Sequence, residues 1–301
     1  MAMIFDRIKG ALPVLTVLGL IVVIWYAGSV AMNARWTLDQ AARAGTTPTF
    51  IQIVADTQAQ SRPMLPPPHQ VAQALWDGIT AQPVTSKRSL VYHAGVTLQS
   101  TLTGFALGIV LGLMLAGGIV YSRVMDATVM PWAVISQTIP IVALAPMIVV
   151  LANSLNLGAA LGVENRLVSK TIIAAYLSFF PVLVGMVKGL RSPDAMQLDQ
   201  LATWNASGWQ SFIYLRLPAS LPYVFASLKV AIAAALVGAI VGELPTGAVE
   251  GLGARMLVAS QFGQPLLMWA SLFAAALVAG GLILSVGLLQ RMADRAMGAR
   301  P

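Results

Sequence analysis

The sequence predicts an all-α fold: a polytopic transmembrane helical bundle of about six spans, with one organised polar loop between two of the later spans. Three observations carry that expectation. Hydrophobic residues make up 57% of the 301 residues and charged residues only 10%, against about 25% charged in a soluble domain; mean hydropathy is +0.78. Charge-free runs are long enough to cross a bilayer: Leu12 to Met32 is 21 residues, where about 20 span the roughly 30 Å hydrocarbon layer. The runs are also continuous, not the short alternating segments of a β-barrel.

Taken in order, the spans fall at 11–32, 93–121, 128–152, 168–189, 219–243 and 265–289. The first follows a basic start, Arg7 and Lys9, and its apolar run exceeds the 7–15 residues of a cleaved signal core, so it reads as a retained helix. Residues 33–92 differ in composition. They contain Met64-Leu65-Pro66-Pro67-Pro68 and then an amphipathic helix over Gln70–Thr80, with Val71, Ala74, Leu75 and Trp76 apolar and Gln70, Gln73 and Asp77 polar. Such a helix can lie in the membrane interface; the rest of the segment reads as an extended loop. The second span carries Gly104, Gly108 and Gly112 on one helical face, which lets another helix approach closely. The stretch from Ala127 to Val163 has no charge and holds Pro131, Pro140 and Pro146. Proline removes a backbone donor and kinks a helix, so this stretch reads as one span plus a re-entrant or interfacial piece. The expected organisation is residues 1–92 (first helix, Pro-rich extracytoplasmic loop, interfacial helix), 93–290 (core transmembrane domain, with a loop at about 192–218) and a cytoplasmic tail, 291–301.

Charge and residue usage exclude several functions. There is no cysteine, so disulfide and thiolate chemistry are absent. The formal charge of +7 fits loop ends facing anionic lipid, because no basic cluster is interleaved with aromatics as a nucleic-acid groove requires. His69 and His93 stand alone and no carboxylates cluster, which argues against a metal site. No Gly-x4-Gly-Lys phosphate loop exists, so this chain does not hydrolyse ATP by that route. With six spans both termini share a side. That side carries Arg7, Lys9, Arg123, Lys188, Arg191, Arg216, Arg291, Arg295 and Arg300, in short loops and tails where the positive-inside rule applies best. The other carries Arg35, Arg43, Arg62, Lys87, Arg88, Arg166, Lys170 and Arg255, several in the long loop. Both termini, and the polar loop, are therefore expected in the cytoplasm.

That loop is the stretch Asp199–Pro218, DQLATWNASGWQSFIYLRLP, polar and aromatic between charge-free runs. A chain made only of spans would need just a turn here. Its spacing resembles the cytoplasmic signature of the membrane subunits of type I ABC importers: Glu-Ala-Ala, three residues, Gly, nine residues, Ile-x-Leu-Pro. Leu215-Arg216-Leu217-Pro218 stands at Ile-x-Leu-Pro, Asn205 at the Gly, Asp199 at the Glu, and Gln200 and Leu201 depart from the two Ala. Ala206-Ser207-Gly208-Trp209-Gln210 resembles the wording of the nitrate/sulfonate/taurine-type branch. Pro140–Pro146, Phe179-Phe180-Pro181 with Gly189-Leu190-Arg191, Leu217–Pro222 with Leu228-Lys229, Gly242-Glu243, and Gly251-Leu252-Gly253 extend the resemblance over roughly residues 90–290.

The resemblance implies the permease subunit of an ATP-driven importer for a small organic or anionic solute, acting as a homodimer with two ATPase subunits and an extracytoplasmic substrate-binding protein. ATP and Mg would be bound by the ATPase, and no cofactor by this chain. Asp199, Gln200, Leu201, Ala202, Trp204, Asn205, Gly208, Leu217 and Pro218 would form the docking surface for that ATPase, as two short helices hinged at Asn205. An interfacial loop helix with Trp204 and Trp209 as membrane anchors is the competing reading. Polar groups inside spans are costly and are functional candidates by default, which singles out Ser136, Gln137, Thr138, Pro140, Tyr176, Ser178, Lys229 and Glu243 for the translocation pathway. Helix–helix hydrogen bonding competes for the hydroxyls, and a snorkelling or paired structural cation for Lys229. Lys229 and Glu243, about 21 Å apart along a helix, would not pair with each other. The branch handles sulfonates, nitrate and pyrimidine-like or vitamin-precursor compounds, and the wording Leu215–Pro222 leans toward the last group. An ion-coupled secondary transporter would instead predict inverted repeats and mid-depth ionisable residues; no repeat is visible. A non-transport scaffold would leave the polar loop without a role.

Overall fold

A computed structural model describes residues 2–245, 247 and 250–296, with side chains from residue 12 onward. Arg300 and the side chains of Arg7 and Lys9 thus lie outside the described residues. All regular structure among the described residues is helical: α1 (Ala2–Arg43), α2 (Phe50–Ala59), α3 (Pro68–Thr80), α4 (Leu90–Tyr121), α5 (Arg123–Ser136), α6 (Ile141–Ser154), α7 (Leu157–Leu161), α8 (Asn165–Leu190), α9 (Ala195–Thr203), α10 (Gly208–Ser211), a π-helical turn (Phe212–Arg216), α11 (Leu217–Glu243), α12 (Leu252–Gln261) and α13 (Pro265–Ala296). Five helical stretches are long and apolar enough to cross a membrane, six if the bent pair α5–α6 is one span. Residues group into two compact units, Met1–Val91 with Arg255–Phe273, and Tyr92–Ala254 with Ala274–Pro301.

The first unit is more helical than expected. The helix through 11–32 does not stop at Met32 but runs on to Arg43. Residues 33–43 are mostly strong helix formers, and the helix ends only at Gly45, which takes a left-handed φ of 67° while the Thr46 N–H donates to the Ala41 carbonyl at 2.9 Å, a glycine C-terminal stop. A second helix, α2, occupies part of the stretch read as extended loop; Gln52 Oε1 accepts from the Thr49 backbone N–H at 2.8 Å and fixes its start. Asn33, fully buried, organises the unit. Its Oδ1 accepts from the N–H groups of Met64 (2.8 Å) and Leu65 (3.2 Å), and its Nδ2 donates to the Leu65 carbonyl (2.9 Å). The Pro-rich segment has few N–H donors of its own, and these bonds hold it to α1. Trp25 donates to the Pro66 carbonyl at 2.9 Å, stacks on Phe273 and meets Trp269 at a tilt. α3 begins at Pro68, a residue suited to a first helical position, and buries Val71 while Trp76 stays exposed.

In the second unit α8 is central, packed between α4 and α11. The glycine face of α4 lies on α8: a Cβ built on Gly112 would sit 2.8 Å from the Phe179 carbonyl, and Gly104 and Gly108 meet Ala174 and Ser178. Close packing is what this face does. α8 and α11 touch along their lengths through small residues, Gly189 on Ser220, Gly185 on Ser227 and Gly238 on Ala174. Ile119, Ala133, Phe179, Leu183 and Leu190 fill the core beside them. The expected span 128–152, read with proline kinks, is broken outright: the chain bends by 101° between α5 and α6. The break falls at Gln137–Pro140, where Pro140 has no N–H and holds its predecessor out of the helical region; Pro131 and Pro146 sit inside helices instead.

Candidate functional site

The polar loop folds as two short helices on one end of the second unit. α9 starts at Asp194, whose N–H donates to Gln197 Oε1 at 3.2 Å, and ends at Asn205. Asn205 adopts φ 55°, the left-handed conformation that Asn tolerates better than other residues bearing a Cβ. This lets the Ala206 N–H donate to the Leu201 carbonyl at 3.0 Å and closes the helix end. α10 then starts on a reciprocal cap: Ser207 Oγ accepts from the Gln210 N–H (3.2 Å), and Gln210 Oε1 accepts from the Ser207 N–H (2.7 Å). Of the nine residues expected here, Asp199, Gln200, Ala202, Trp204, Asn205, Gly208 and Pro218 are exposed and Leu201 and Leu217 half-buried. Trp204 is 69% exposed and Trp209 68%, a high value for indole rings and one that leaves an apolar surface uncovered.

The pair is fastened to the bundle at few points. Arg216 donates to the Leu190 carbonyl at 3.0 Å, tying the π-helical turn to the end of α8. Arg191 pairs with Asp126 at 2.9 Å on the surface. Phe212 stacks on Trp209 and meets Tyr121 edge-on. Between these rings, Leu113, Met186, Leu190 and Leu217 line an apolar cavity of about 600 Å³.

The pathway candidates separate into four places. Ser136, Gln137, Thr138 and Pro140 sit at the α5–α6 break. Gln137 donates to Ser136 Oγ at 3.3 Å, Thr138 bonds its own helix, and the Tyr176 hydroxyl donates to the Ser136 carbonyl, so Tyr176 on α8 joins the broken segment. Ser178, fully buried, faces α4 and bonds the Ala175 carbonyl at 3.3 Å. Lys229 donates to Gln290 Oε1 at 2.7 Å, linking α11 to α13. Glu243 lies at the far end of α11 and does not meet Lys229.

A family profile described as "Binding-protein-dependent transport system inner membrane component" matches residues 108–299, well over half of the chain and including the entire polar loop. The chain belongs to that family. It is 34% identical to a probable ABC transporter permease protein of Haemophilus influenzae over 221 residues, 73% of this chain and 82% of the relative. It is 32% identical to the riboflavin transport system permease protein RibX of Chloroflexus aurantiacus over 232 residues, 77% of this chain and 80% of the relative. It is 33% identical to the formylaminopyrimidine transport permease protein ThiX of Halalkalibacterium halodurans over 205 residues, 67% of this chain and 74% of the relative. The chain is thus a transport subunit, a multi-pass protein of the inner membrane.

One constellation in this permease was not visible as such in the sequence. Glu243 is 0% exposed. Its Oε1 accepts from the Thr97 hydroxyl at 2.8 Å and its Oε2 from the Gly253 N–H at 2.7 Å. Lys170 Nζ stands 4.0 Å from Oε1; counted above among the charges of the side opposite the termini, Lys170 is buried near the start of α8. His93 Nδ1 accepts from the Gly251 N–H at 3.0 Å and Thr97 Oγ1 from the Leu252 N–H at 2.8 Å. Residues 93, 97, 170, 243 and 251–253 are scattered along the chain. The sequence offered its parts only separately: Glu243 as a pathway candidate, Gly242-Glu243 and Gly251-Leu252-Gly253 within the family resemblance, and a Lys and a His near span edges.

Proposed function

We propose that the permease works as a homodimer with two ATPase subunits and a substrate-binding protein, and that α9 and α10 are the coupling helices that sit in a cleft of the ATPase. One observation carries this reading: two short helices capped by their own side chains, hinged at a left-handed Asn205, expose Asp199, Ala202 and Trp204, with Leu201 half-buried, at the end of the α8–α11 pair. Capping keeps the surface ordered without burying it, and exposed apolar surface flanked by a carboxylate suits a protein partner. ATP with Mg would be bound and hydrolysed by the ATPase; closure of the ATPase pair would move the coupling helices together and open the pathway outward.

Both termini and the coupling helices would then face the cytoplasm. The absence of cysteine makes that testable by single-cysteine labelling: Ala202→Cys should react only from the cytoplasmic side and Ala81→Cys only from the other. The hydroxyls and carbonyls at the α5–α6 break, with Tyr176, are the favoured pathway lining. For the solute we propose a small planar nitrogen heterocycle, the chemistry common to riboflavin and formylaminopyrimidine, for which two relatives are named. The decisive experiment for coupling combines Asp199→Lys with Ala202→Trp. The ATPase should no longer co-purify, or uptake should cease while the variant remains in the membrane; unchanged co-purification together with unchanged uptake overturns the reading.

A further inference from the structure

The coupling helices lead directly into α11, which runs unbroken for 27 residues from Leu217 to Glu243, about 40 Å at 1.5 Å per residue. α11 is also held to α8 at both ends. At one end Arg216 bonds the Leu190 carbonyl; at the other Lys170 stands beside Glu243. Displacement of the coupling helices therefore has a stiff route to Glu243.

What lies at Glu243 is the end of a loop, Gly251, and the first residues of α12, Leu252 and Gly253. The three successive backbone donors Gly251, Leu252 and Gly253 are all accepted by side chains, His93, Thr97 and Glu243. The first N–H groups of a helix have no partner within it; here side chains from two other helices, α4 and α11, accept them. Thr97 is the junction, since its single hydroxyl donates to Glu243 and accepts from Leu252. The loop also admits no side chain at two of the three positions. Gly251 has φ 122°, and a Cβ there would run into the Glu243 carboxylate; one on Gly253 would lie 2.5 Å from the Ile240 carbonyl. A close-fitting apolar contact would seal such a junction as well as a carboxylate does, and often better. Fixed donor–acceptor pairs, by contrast, prevent the loop from sliding along α11.

We propose that Thr97 and Glu243 are positioning residues that latch the 251–253 loop to α11, so that movement begun at the coupling helices reaches the face on which the substrate-binding protein docks. This rests on the importer reading above. In the other direction, binding-protein docking on that face biases α11 and with it the ATPase, as any coupling between two sites must be reciprocal.

The test uses Thr97→Val, which keeps the shape and removes the hydroxyl, and Thr97→Ser, which keeps the hydroxyl. Each is placed in the full complex with ATPase and binding protein in lipid nanodiscs. Two quantities are read: ATPase rate with and without binding protein, and hydrogen exchange of the Gly251–Gly253 amides in the permease, which needs neither ATP nor binding protein. Thr97→Val should expose those amides and lower the binding-protein stimulation by about tenfold, the worth of one buried charge-assisted hydrogen bond, while basal ATPase persists. Thr97→Ser should behave as the unaltered protein. Unchanged amide exchange in Thr97→Val overturns the latch, as does faster exchange with full stimulation, or a proportional fall in basal and stimulated rates. A complex with unaltered permease that binding protein fails to stimulate overturns the importer reading instead, and amide exchange still decides whether the loop is tied to α11.

Discussion

The two ends of the α8–α11 pair are built on opposite principles. At the coupling end the helices α9 and α10 are capped by their own side chains, bury no residue fully and present two indoles to the outside. At the Glu243 end every participant is buried and the carboxylate is bonded through both oxygens. A surface meant for another protein must be ordered in isolation yet leave its contact atoms uncovered, and local capping achieves both. A junction internal to the bundle has no such constraint and can spend its polar groups on itself. The contrast makes a general prediction: substitutions at the buried end lower stability as well as the coupling that passes through it, whereas substitutions at the coupling end change association and turnover and leave stability nearly unaltered.

The largest effect should come from Glu243→Leu. Removing one member of a buried pair leaves an uncompensated charge and costs about 3–5 kcal/mol, here on Lys170, with the Gly253 N–H and the Thr97 hydroxyl orphaned as well. Thermal unfolding of the purified protein should show a large fall, and the double variant Glu243→Leu with Lys170→Met should recover part of it. A fall no larger than that of a surface substitution would erase the contrast between the two ends.

Next in size is Gly112→Val on the α4 face that lies on α8. With the Phe179 carbonyl 2.8 Å from the position of a new Cβ, the helices must separate, and overpacking of this kind costs about 1–3 kcal/mol. Gly117, where a Cβ meets nothing within 4 Å, is the control on the same helix: Gly117→Ala should leave the unfolding temperature unchanged or slightly raised, because Ala is the better helix former.

These predictions also mark how far the sequence could be read. The spans at 93–121, 168–189 and 219–243 lie within two or three residues of α4, α8 and α11, because continuous apolar runs set helix length directly. The polar loop was legible for a related reason: its signal lies in consecutive residues, and capping at Ser207 and the left-handed turn at Asn205 are local events. The extension of α1 to Arg43 was not, since residues 33–43 are good helix formers but carry charges that end the apolar run, and a buried Asn33, bonded to residues 31 and 32 positions away, shows why that part is packed. The break at Gln137–Pro140 was foreshadowed by three prolines, yet nothing local says which of them bends the chain. The Glu243 junction was the least legible. Its bonds join residues 146 and 155 positions apart, and a spacing of that kind carries no periodicity to detect.

The smallest stability effect, and the sharpest probe of the comparison, is at Asn205. Asn205→Ala keeps the left-handed φ of 55° but loses the side chain that tolerates it, at a cost of about 1 kcal/mol, confined to the turn between α9 and α10. Asn205→Gly removes the steric conflict but gives the unfolded chain more freedom, so the two terms nearly offset. Neither variant touches the core, so the global unfolding temperature should move little in either. If α9 and α10 are a docking surface whose geometry depends on this turn, the two variants must still differ in function: uptake and ATPase co-purification should fall for Asn205→Ala and be retained for Asn205→Gly. Equal activity in both would mean that the turn does not set the docking geometry, and that the exposed end of the pair is as tolerant in function as it is in stability.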